Sequence, residues 1–174
     1  MGIGNTSIAS MLMHIITKIP LENCVGAGTG MVGDKLIHKL TVLQKAVNLH
    51  NPSLPIEILS TFGGLEIAMM CGAYIEAYKQ NMVILVDGFI TTATLLVAQL
   101  FEPNITNNCI FSHVSNEQGH AQLLNFLQAK PLLSLGLRLG EGTGAAIAYP
   151  IIQSAITFLN NMSSFDDANV SNLE

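Results

Sequence analysis

The sequence predicts an α/β fold in which a parallel sheet is flanked by helices. Two short apolar runs, 83–86 and 109–111, have the length and composition of buried strands. Longer segments with helical spacing of apolar residues precede, separate and follow these runs. Short buried strands that alternate with helices are typical of a parallel sheet, because the connection between two parallel strands crosses over as a helix.

The predicted helices follow from the spacing of apolar residues. Segments 5–17 and 34–49 have apolar residues at helical spacing, and the second places Leu36, Leu40, Leu43 and Val47 on one face. Segment 56–78 is long, apolar and interrupted by glycines, which predicts two packed helices or one helix with close neighbours. Further helices are expected after Phe89, over 117–128, and in the alanine-rich segment that begins near residue 144.

The composition restricts the class of protein. The chain has 174 residues, of which 49% are hydrophobic and 11% charged, whereas about 25% of residues are charged in an average soluble domain. Its apolar surface is therefore expected to be buried within the chain or against a partner. The net charge of −5, with seven Lys and Arg, argues against a nucleic-acid-binding surface. We expect one domain over 1–162 and a flexible acidic tail over 163–174.

The cysteine pattern and the longest apolar run bear on compartment and membrane insertion. The three cysteines are widely spaced, with no CxxC pair and no zinc-ligand spacing, so we expect reduced thiols in a cytoplasmic protein and no metal site. Segment 82–101 has about the length that crosses a bilayer. Because Asp87-Gly88 divides it into a β-branched run and a helical run, we interpret it instead as a strand, a functional loop and a helix.

Glycine and polar residues interrupt the chain where the predicted strands end. Asp87 and Gly88 follow the first strand, and Ser112 and His113 follow the second. Ligands bind at the carboxyl ends of the strands in parallel sheets, so these residues are expected near a site. His113 is interpreted either as a hydrogen-bonding core residue or as a catalytic one, whereas the other four histidines are expected in the scaffold or at the surface.

A glycine-rich segment, "GAGTGMVG", precedes the second predicted helix. Gly28, Gly30 and Gly33 match GxGxxG, but the preceding residues 21–25 form a poor strand and no apolar strand ends in an acid about 20 residues later. A dinucleotide site is therefore not supported. The remaining alternatives are a site for one phosphate at a helix N-terminus, with Lys39 as counter-charge, or a tight turn beside a solvated lysine.

The segment "LGEGTGAAIA" places one carboxylate, Glu141, among three glycines before an alanine-rich helix. Glycine is favoured where the backbone turns tightly or approaches a ligand closely. Glu141 is therefore expected to face a ligand, in a water-poor loop that raises its proton affinity. The alternative is that Glu141 interacts with the N-terminal dipole of the following helix.

Six motifs in this order resemble the carboxyl-terminal half of the nicotinate-nucleotide:dimethylbenzimidazole phosphoribosyltransferases. They read "MGIGNTS", "CVGAGTGMVGDKLIHK", "FGGLEIAMMCGAY", "VDGFITTA", "FSHVSNEQGH" and "LLSLGLRLGEGTGAAIA". The resemblance extends to about residue 162. It implies a Rossmann-like parallel sheet, incomplete relative to full-length members, and transfer of phosphoribose from nicotinate mononucleotide to 5,6-dimethylbenzimidazole. It also implies a homodimer that uses neither metal nor cofactor.

The resemblance assigns roles to individual residues. Glu141 corresponds to the general base, Leu139 to a residue of the aromatic base pocket, and Lys39 to a phosphate ligand. The remaining substrate-binding residues are expected to be Gly2, Gly28, Thr29, Gly30, Asp87, Gly88, Ser112 and Gly142, with no separate role assigned to Asp87 or His113.

The same resemblance leaves three hypotheses open. Full-length members are about twice as long, so the chain is expected to be a fragment, a truncated product or half of a split enzyme. It then acts as the transferase or its carboxyl-terminal portion, as a non-catalytic nucleotide-binding remnant, or as a structural half that needs a separate amino-terminal partner.

Overall fold

The computed structural model describes residues 4–28, 30–164 and 167–168. Its helices and strands, in chain order, are α1 (Asn5–Thr17), α2 (Leu21–Cys24), α3 (Asp34–Leu49), α4 (Pro55–Phe62), α5 (Leu65–Lys79), β1 (Ile84–Val86), α6 (Phe89–Phe101), β2 (Cys109–Phe111), α7 (His120–Phe126) and α8 (Thr143–Asn161), with a 3-10 helix at Ile105–Asn108 before β2. The α/β class predicted from the sequence is confirmed.

A small parallel sheet lies at the centre of the fold. β1 and β2 pair in parallel, with Ile84 opposite Cys109 and Val86 opposite Phe111. On the other side of β2, the amide N–H groups of Leu132 and Leu133 donate to the carbonyls of Phe111 and Ser112, which extends the pairing by one short segment. The carboxyl ends of β1 and β2 therefore lie side by side, and the residues after them open onto the same edge.

Helix α6 is the most deeply buried helix and packs against α1 and α5. Its apolar core residues are fully or almost fully buried. The hydroxyls of its two buried threonines donate hydrogen bonds to backbone carbonyls four residues earlier in the chain. Thr92 Oγ1 donates to the carbonyl of Gly88 and Thr94 Oγ1 donates to that of Ile90. Segment 82–101 is thus β1, a loop and α6, as expected. No helix in the described residues has the length and apolarity that a membrane span requires.

Three helix boundaries differ from the sequence-based expectations or make them more specific. α7 begins at His120 and not at Glu117, because residues 116–119 form bends and turns. Segment 56–78 forms two helices, one of the two arrangements expected, and Gly63 and Gly64 separate them. The glycine-rich segment follows the helical turn α2, so the strand that a dinucleotide site requires is not there.

Helix α8 lies largely at the surface of the described chain. Of its 19 residues only Gly144 and Ala148 are buried, whereas Phe158 and Leu159 are 66% and 84% exposed. The last turns of α8 therefore present apolar side chains to solvent. Most of the predicted flexible tail, 163–174, lies outside the described residues.

Candidate active site

A pocket with a volume of about 340 Å³ opens at the carboxyl edge of the sheet. Its walls come from five parts of the chain: the start of α1, the glycine-rich segment before α3, the segment after β1, the segment after β2, and the loop before α8. The residues that line it are Thr6, Gly28, Asp87, Gly88, Phe89, Ile90, Thr91, His113, Ser115, Glu117, Arg138, Leu139, Gly140 and Glu141. Segments far apart in sequence thus converge on one cavity.

Three helices direct their N-termini toward this pocket. Thr6 lies in the first turn of α1, Phe89 begins α6, and Glu141 stands just before α8. A helix N-terminus carries unpaired backbone N–H groups and a partial positive charge, and it therefore favours anions. The ends of α1 and α6 at one cavity suit a ligand that carries negative charge, whereas the carboxylate of Asp87 already occupies the end of α8.

Gly28 and Thr6 line the pocket, and Lys39 lies beside them. Gly28 has a φ of +55°, and a β-carbon on it would lie 3.0 Å from Thr6 Oγ1 and 3.5 Å from Lys39 Nζ. The ammonium of Lys39 donates to the carbonyl of Gly26 over 3.0 Å. Partial burial lowers the pKa of Lys39, and the nearby Glu117 carboxylate opposes that shift. A glycine is required at position 28 because a side chain would fill the space between the hydroxyl and the ammonium.

The loop before α8 has an unusual backbone conformation. Gly140, Glu141 and Gly142 have φ values of +77°, +58° and +80°. The other described non-glycine residues with positive φ, Lys18, Asn81 and Gln128, each follow the last turn of a helix, where this conformation is ordinary. Glu141 instead precedes a helix, at a cost of roughly 1–2 kcal/mol. Strain of this kind is typical of functional sites.

The carboxylate of Asp87 fixes the Glu141 loop to the end of β1. Asp87 Oδ2 accepts the N–H of Gly142 and Asp87 Oδ1 accepts the N–H of Ala145, each over 3.0 Å. Both amides belong to the N-terminus of α8, whose N-cap residue is Gly142 and so has no side chain to cap it. A buried aspartate from another part of the chain therefore supplies the missing cap.

Gly144 packs directly against His113 and Asp87. A β-carbon on Gly144 would overlap the His113 ring and would lie 2.8 Å from Asp87 Oδ1. His113 Nε2 itself lies 3.6 Å from Asp87 Oδ1. Gly144 therefore allows α8 to approach both strand ends. The third glycine of the "GEGTG" sequence is required for this close packing, whereas the first two turn the backbone.

His120 belongs to the scaffold beneath the pocket, as expected from the sequence. Its Nδ1 accepts the N–H of Ser115 over 2.9 Å, and its Nε2 lies 3.1 Å from Thr92 Oγ1. Burial, reinforced by the nearby His113, lowers the pKa of His120 to about 4. A neutral imidazole therefore holds Ser115, which lines the pocket, against the start of α6.

The structure brings together most of the residues that the sequence singled out. Gly28, Asp87, Gly88, His113, Leu139 and Glu141 line the pocket; Lys39 and Gly142 lie directly behind its wall. Gly30, with a φ of +110°, turns the glycine-rich segment but does not line the pocket. Gly2 and Thr29 lie outside the described residues.

Two expectations are corrected. Ser112 is fully buried and does not line the pocket, and its backbone pairs with Val86 and Leu133 on either side. Glu141 is exposed in the described chain, so the water-poor loop that was expected around its carboxylate is absent. The exposure follows from the position of Glu141 on an outward turn at the rim of the pocket.

Several pocket residues had no sequence signal strong enough to identify them. Thr6 and Glu117 lie in ordinary polar surroundings, and only the fold places them beside Gly28 and Lys39. Arg138 immediately precedes Leu139, so its proximity to the "LGEG" run was a usable signal. It brings a second cationic side chain to the pocket region.

The comparisons with known proteins agree on one family. The phosphoribosyltransferase family model DBI_PRT matches residues 1–170. The chain is 54% identical over 172 residues to the nicotinate-nucleotide--dimethylbenzimidazole phosphoribosyltransferase of Cupriavidus necator, covering 98% of this chain and 50% of that protein. It is 53% identical over 172 residues to the protein of the same name from Shewanella putrefaciens, covering 98% of this chain and 49% of that protein.

A solved structure gives the same result. The crystal structure of CobT from Thermus thermophilus superposes with a TM-score of 0.93 at 37% identity, over 99% of this chain and 52% of that one. The chain spans about half the length of the curated relatives it matches. On the family match and the shared fold, the chain belongs to the DBI_PRT phosphoribosyltransferase family.

Proposed function

We propose that this chain carries the general base and the phosphate site of a phosphoribosyl transfer from nicotinate mononucleotide to 5,6-dimethylbenzimidazole. The product is α-ribazole 5′-phosphate, which provides the lower ligand of cobalamin. The observation that carries the proposal is that Glu141 lines the same pocket as Gly28 and Thr6, with the ammonium of Lys39 beside Gly28. A base and an anion site therefore face one cavity.

The phosphate of nicotinate mononucleotide is proposed to bind beside Gly28 and Lys39. The ammonium of Lys39 and the N–H groups in the first turn of α1 supply positive charge and donors around Gly28. The expected contributions of Gly2, Thr29 and Gly30 to this phosphate site remain proposals, as does a role for Gly88 in binding substrate.

The acceptor base is proposed to bind beside Leu139 and Glu141. A nitrogen of the benzimidazole attacks the anomeric carbon of the ribose, the new C–N bond forms, and the bond to nicotinate breaks on the opposite face. The Glu141 carboxylate takes the proton that the attacking ring must lose. Leu139 is 74% exposed in the described chain, so it offers an apolar surface on which an aromatic ring can pack.

The proposal includes a partner, because apolar surface remains exposed. Phe158 and Leu159 of α8 are largely exposed, and an apolar surface of this kind is usually covered by another chain or segment. We propose a homodimer or a separate amino-terminal partner chain. The three free cysteines fit the proposed cytoplasmic location.

The substitution Glu141→Gln tests the function. Turnover is measured with a chimaera in which this chain replaces the matching half of the Cupriavidus necator relative, and nicotinate mononucleotide binding is measured on the chain itself. We expect turnover to fall about 10²–10⁴-fold, as for a lost general base, with binding unchanged. Glu76→Gln, which changes an exposed carboxylate outside the pocket, is the matched control.

Two other outcomes separate the alternatives. If the wild-type chain binds the nucleotide but the chimaera is inactive, the non-catalytic nucleotide-binding remnant is favoured. If the chain neither binds nucleotide nor folds until an amino-terminal partner is added, it is a structural half.

A further inference from the structure

We propose that Asp87 is a positioning residue that acts through Glu141, and that it is not a substrate ligand or a second base. This inference rests on the proposed function, because it gives Asp87 a role in the same reaction. Its basis is the pair of hydrogen bonds by which the Asp87 carboxylate holds the amides of Gly142 and Ala145.

The conformation of the loop explains why the cap must come from elsewhere in the chain. Gly142 occupies the N-cap position of α8 with a φ of +80°, a conformation that Ser, Thr or Asp adopts at a cost. A local capping side chain, which would normally accept the N3 amide, is therefore replaced by glycine. Asp87 accepts both the N-cap amide of Gly142 and the N3 amide of Ala145, the two donors that a capping box satisfies.

The hydrogen bonds leave Asp87 poorly suited to act on a substrate. Each of its two carboxylate oxygens already accepts a backbone N–H, and the residue is only 8% exposed. Its Oδ1 also lies 3.6 Å from His113 Nε2. A carboxylate with both oxygens engaged is an anchor for the loop, and Glu141 is the adjacent side chain that remains exposed to the pocket.

The first test measures the loop directly. In the chain itself, hydrogen exchange of the Gly142 and Ala145 amides is followed by NMR in wild type, in Asp87→Asn and in the control Glu117→Gln. We expect exchange of both amides to accelerate at least about tenfold in Asp87→Asn, with wild-type rates in the control. Unchanged exchange in a folded Asp87→Asn protein would overturn the proposal.

The second test asks whether Asp87 acts through Glu141. In the chimaera described above, Asp87→Asn should lower kcat at least about tenfold while KM for nicotinate mononucleotide stays within about twofold. The double variant Asp87→Asn/Glu141→Gln should be no more than about twofold slower than Glu141→Gln alone, since the lost interaction has no further effect once the base is gone. If the kcat losses of the two single variants multiply in the double variant, or if KM rises strongly in Asp87→Asn, Asp87 instead contacts the substrate independently of Glu141.

A second variant covers the case in which Asp87→Asn does not fold. Ala145→Pro removes one of the two donors from the α8 side and leaves Asp87 in place. It should lower kcat with KM unchanged, and a fully active Ala145→Pro chimaera would contradict the proposal. If wild-type protein does not bind nicotinate mononucleotide, the proposed function fails, whereas the exchange experiment still decides whether Asp87 holds the loop.

Discussion

Gly144 and His113 are in direct contact, with no space for a β-carbon between the first turn of α8 and the imidazole ring. The contact joins the loop that carries Glu141 to the end of β2. Substitution Gly144→Ala should therefore destabilise the fold by about 1–3 kcal/mol through overpacking. For a chain of this size that corresponds to a fall in Tm of roughly 2–12 °C, measured by thermal melting followed by circular dichroism.

Gly72→Ala is the matched control for this experiment. Gly72 lies within α5, and a β-carbon there meets no atom within 4 Å. Alanine at a helix interior position should stabilise by about 0.5–1 kcal/mol relative to glycine. Equal Tm changes in the two variants would mean that α8 does not pack on His113 as described.

Lys39→Ala should weaken nicotinate mononucleotide binding by about 1.5–3 kcal/mol, the usual range for a hydrogen bond to a charged group. Isothermal titration calorimetry on the chain measures the difference. Lys45→Ala, an exposed lysine of the same helix, should bind like wild type and controls for net charge. Equal affinities for wild type and Lys39→Ala would favour the alternative in which the glycine-rich segment is only a tight turn and Lys39 only a solvated side chain.

His120 should make stability depend on pH in a defined window. Burial lowers its pKa to about 4 in the folded chain, whereas an unfolded histidine titrates near 6.5. Above pH 6.5 both states are neutral and the stability is fully present. Between pH 6.5 and 4 the unfolded state binds the proton first, so the free energy of unfolding falls, by up to about 3 kcal/mol.

Urea unfolding at several pH values measures this effect. His120→Asn retains an acceptor for the Ser115 amide but cannot titrate, so its stability should fall less over the same window. His50→Asn, at an exposed position, should follow wild type. Identical pH profiles for wild type and His120→Asn would assign the acid sensitivity to other groups.

The exposed end of α8 should drive association. Analytical ultracentrifugation at micromolar concentration should show a dimer or larger species for the wild-type chain. Replacing Phe158 and Leu159 with glutamine should reduce association, because these side chains are 66% and 84% exposed. Leu65→Gln changes another side chain, 90% exposed, at the start of α5 and serves as control. A stable wild-type monomer is the result that contradicts this prediction.

The sequence by itself determined the fold class and most helices. Periodic apolar spacing defines α1 and α3, and the β-branched run before Asp87 marks β1, because these signals depend on neighbouring residues only. The same local logic placed Asp87, Gly88 and His113 at strand ends, where a parallel sheet positions its ligands. The resemblance of the "LGEG" run then identified Glu141 as the residue to test.

Only the tertiary structure decided what these residues contact. That Asp87 caps α8, that Gly144 must lack a side chain, and that Thr6 and Lys39 flank Gly28 all depend on segments distant in sequence. Ser112 and His113 show that local sequence does not decide which side chain enters a pocket. Ser112 is buried outside the pocket, whereas the next residue, His113, lines it. Local patterns specify which elements form, whereas packing decides which side chains share a cavity.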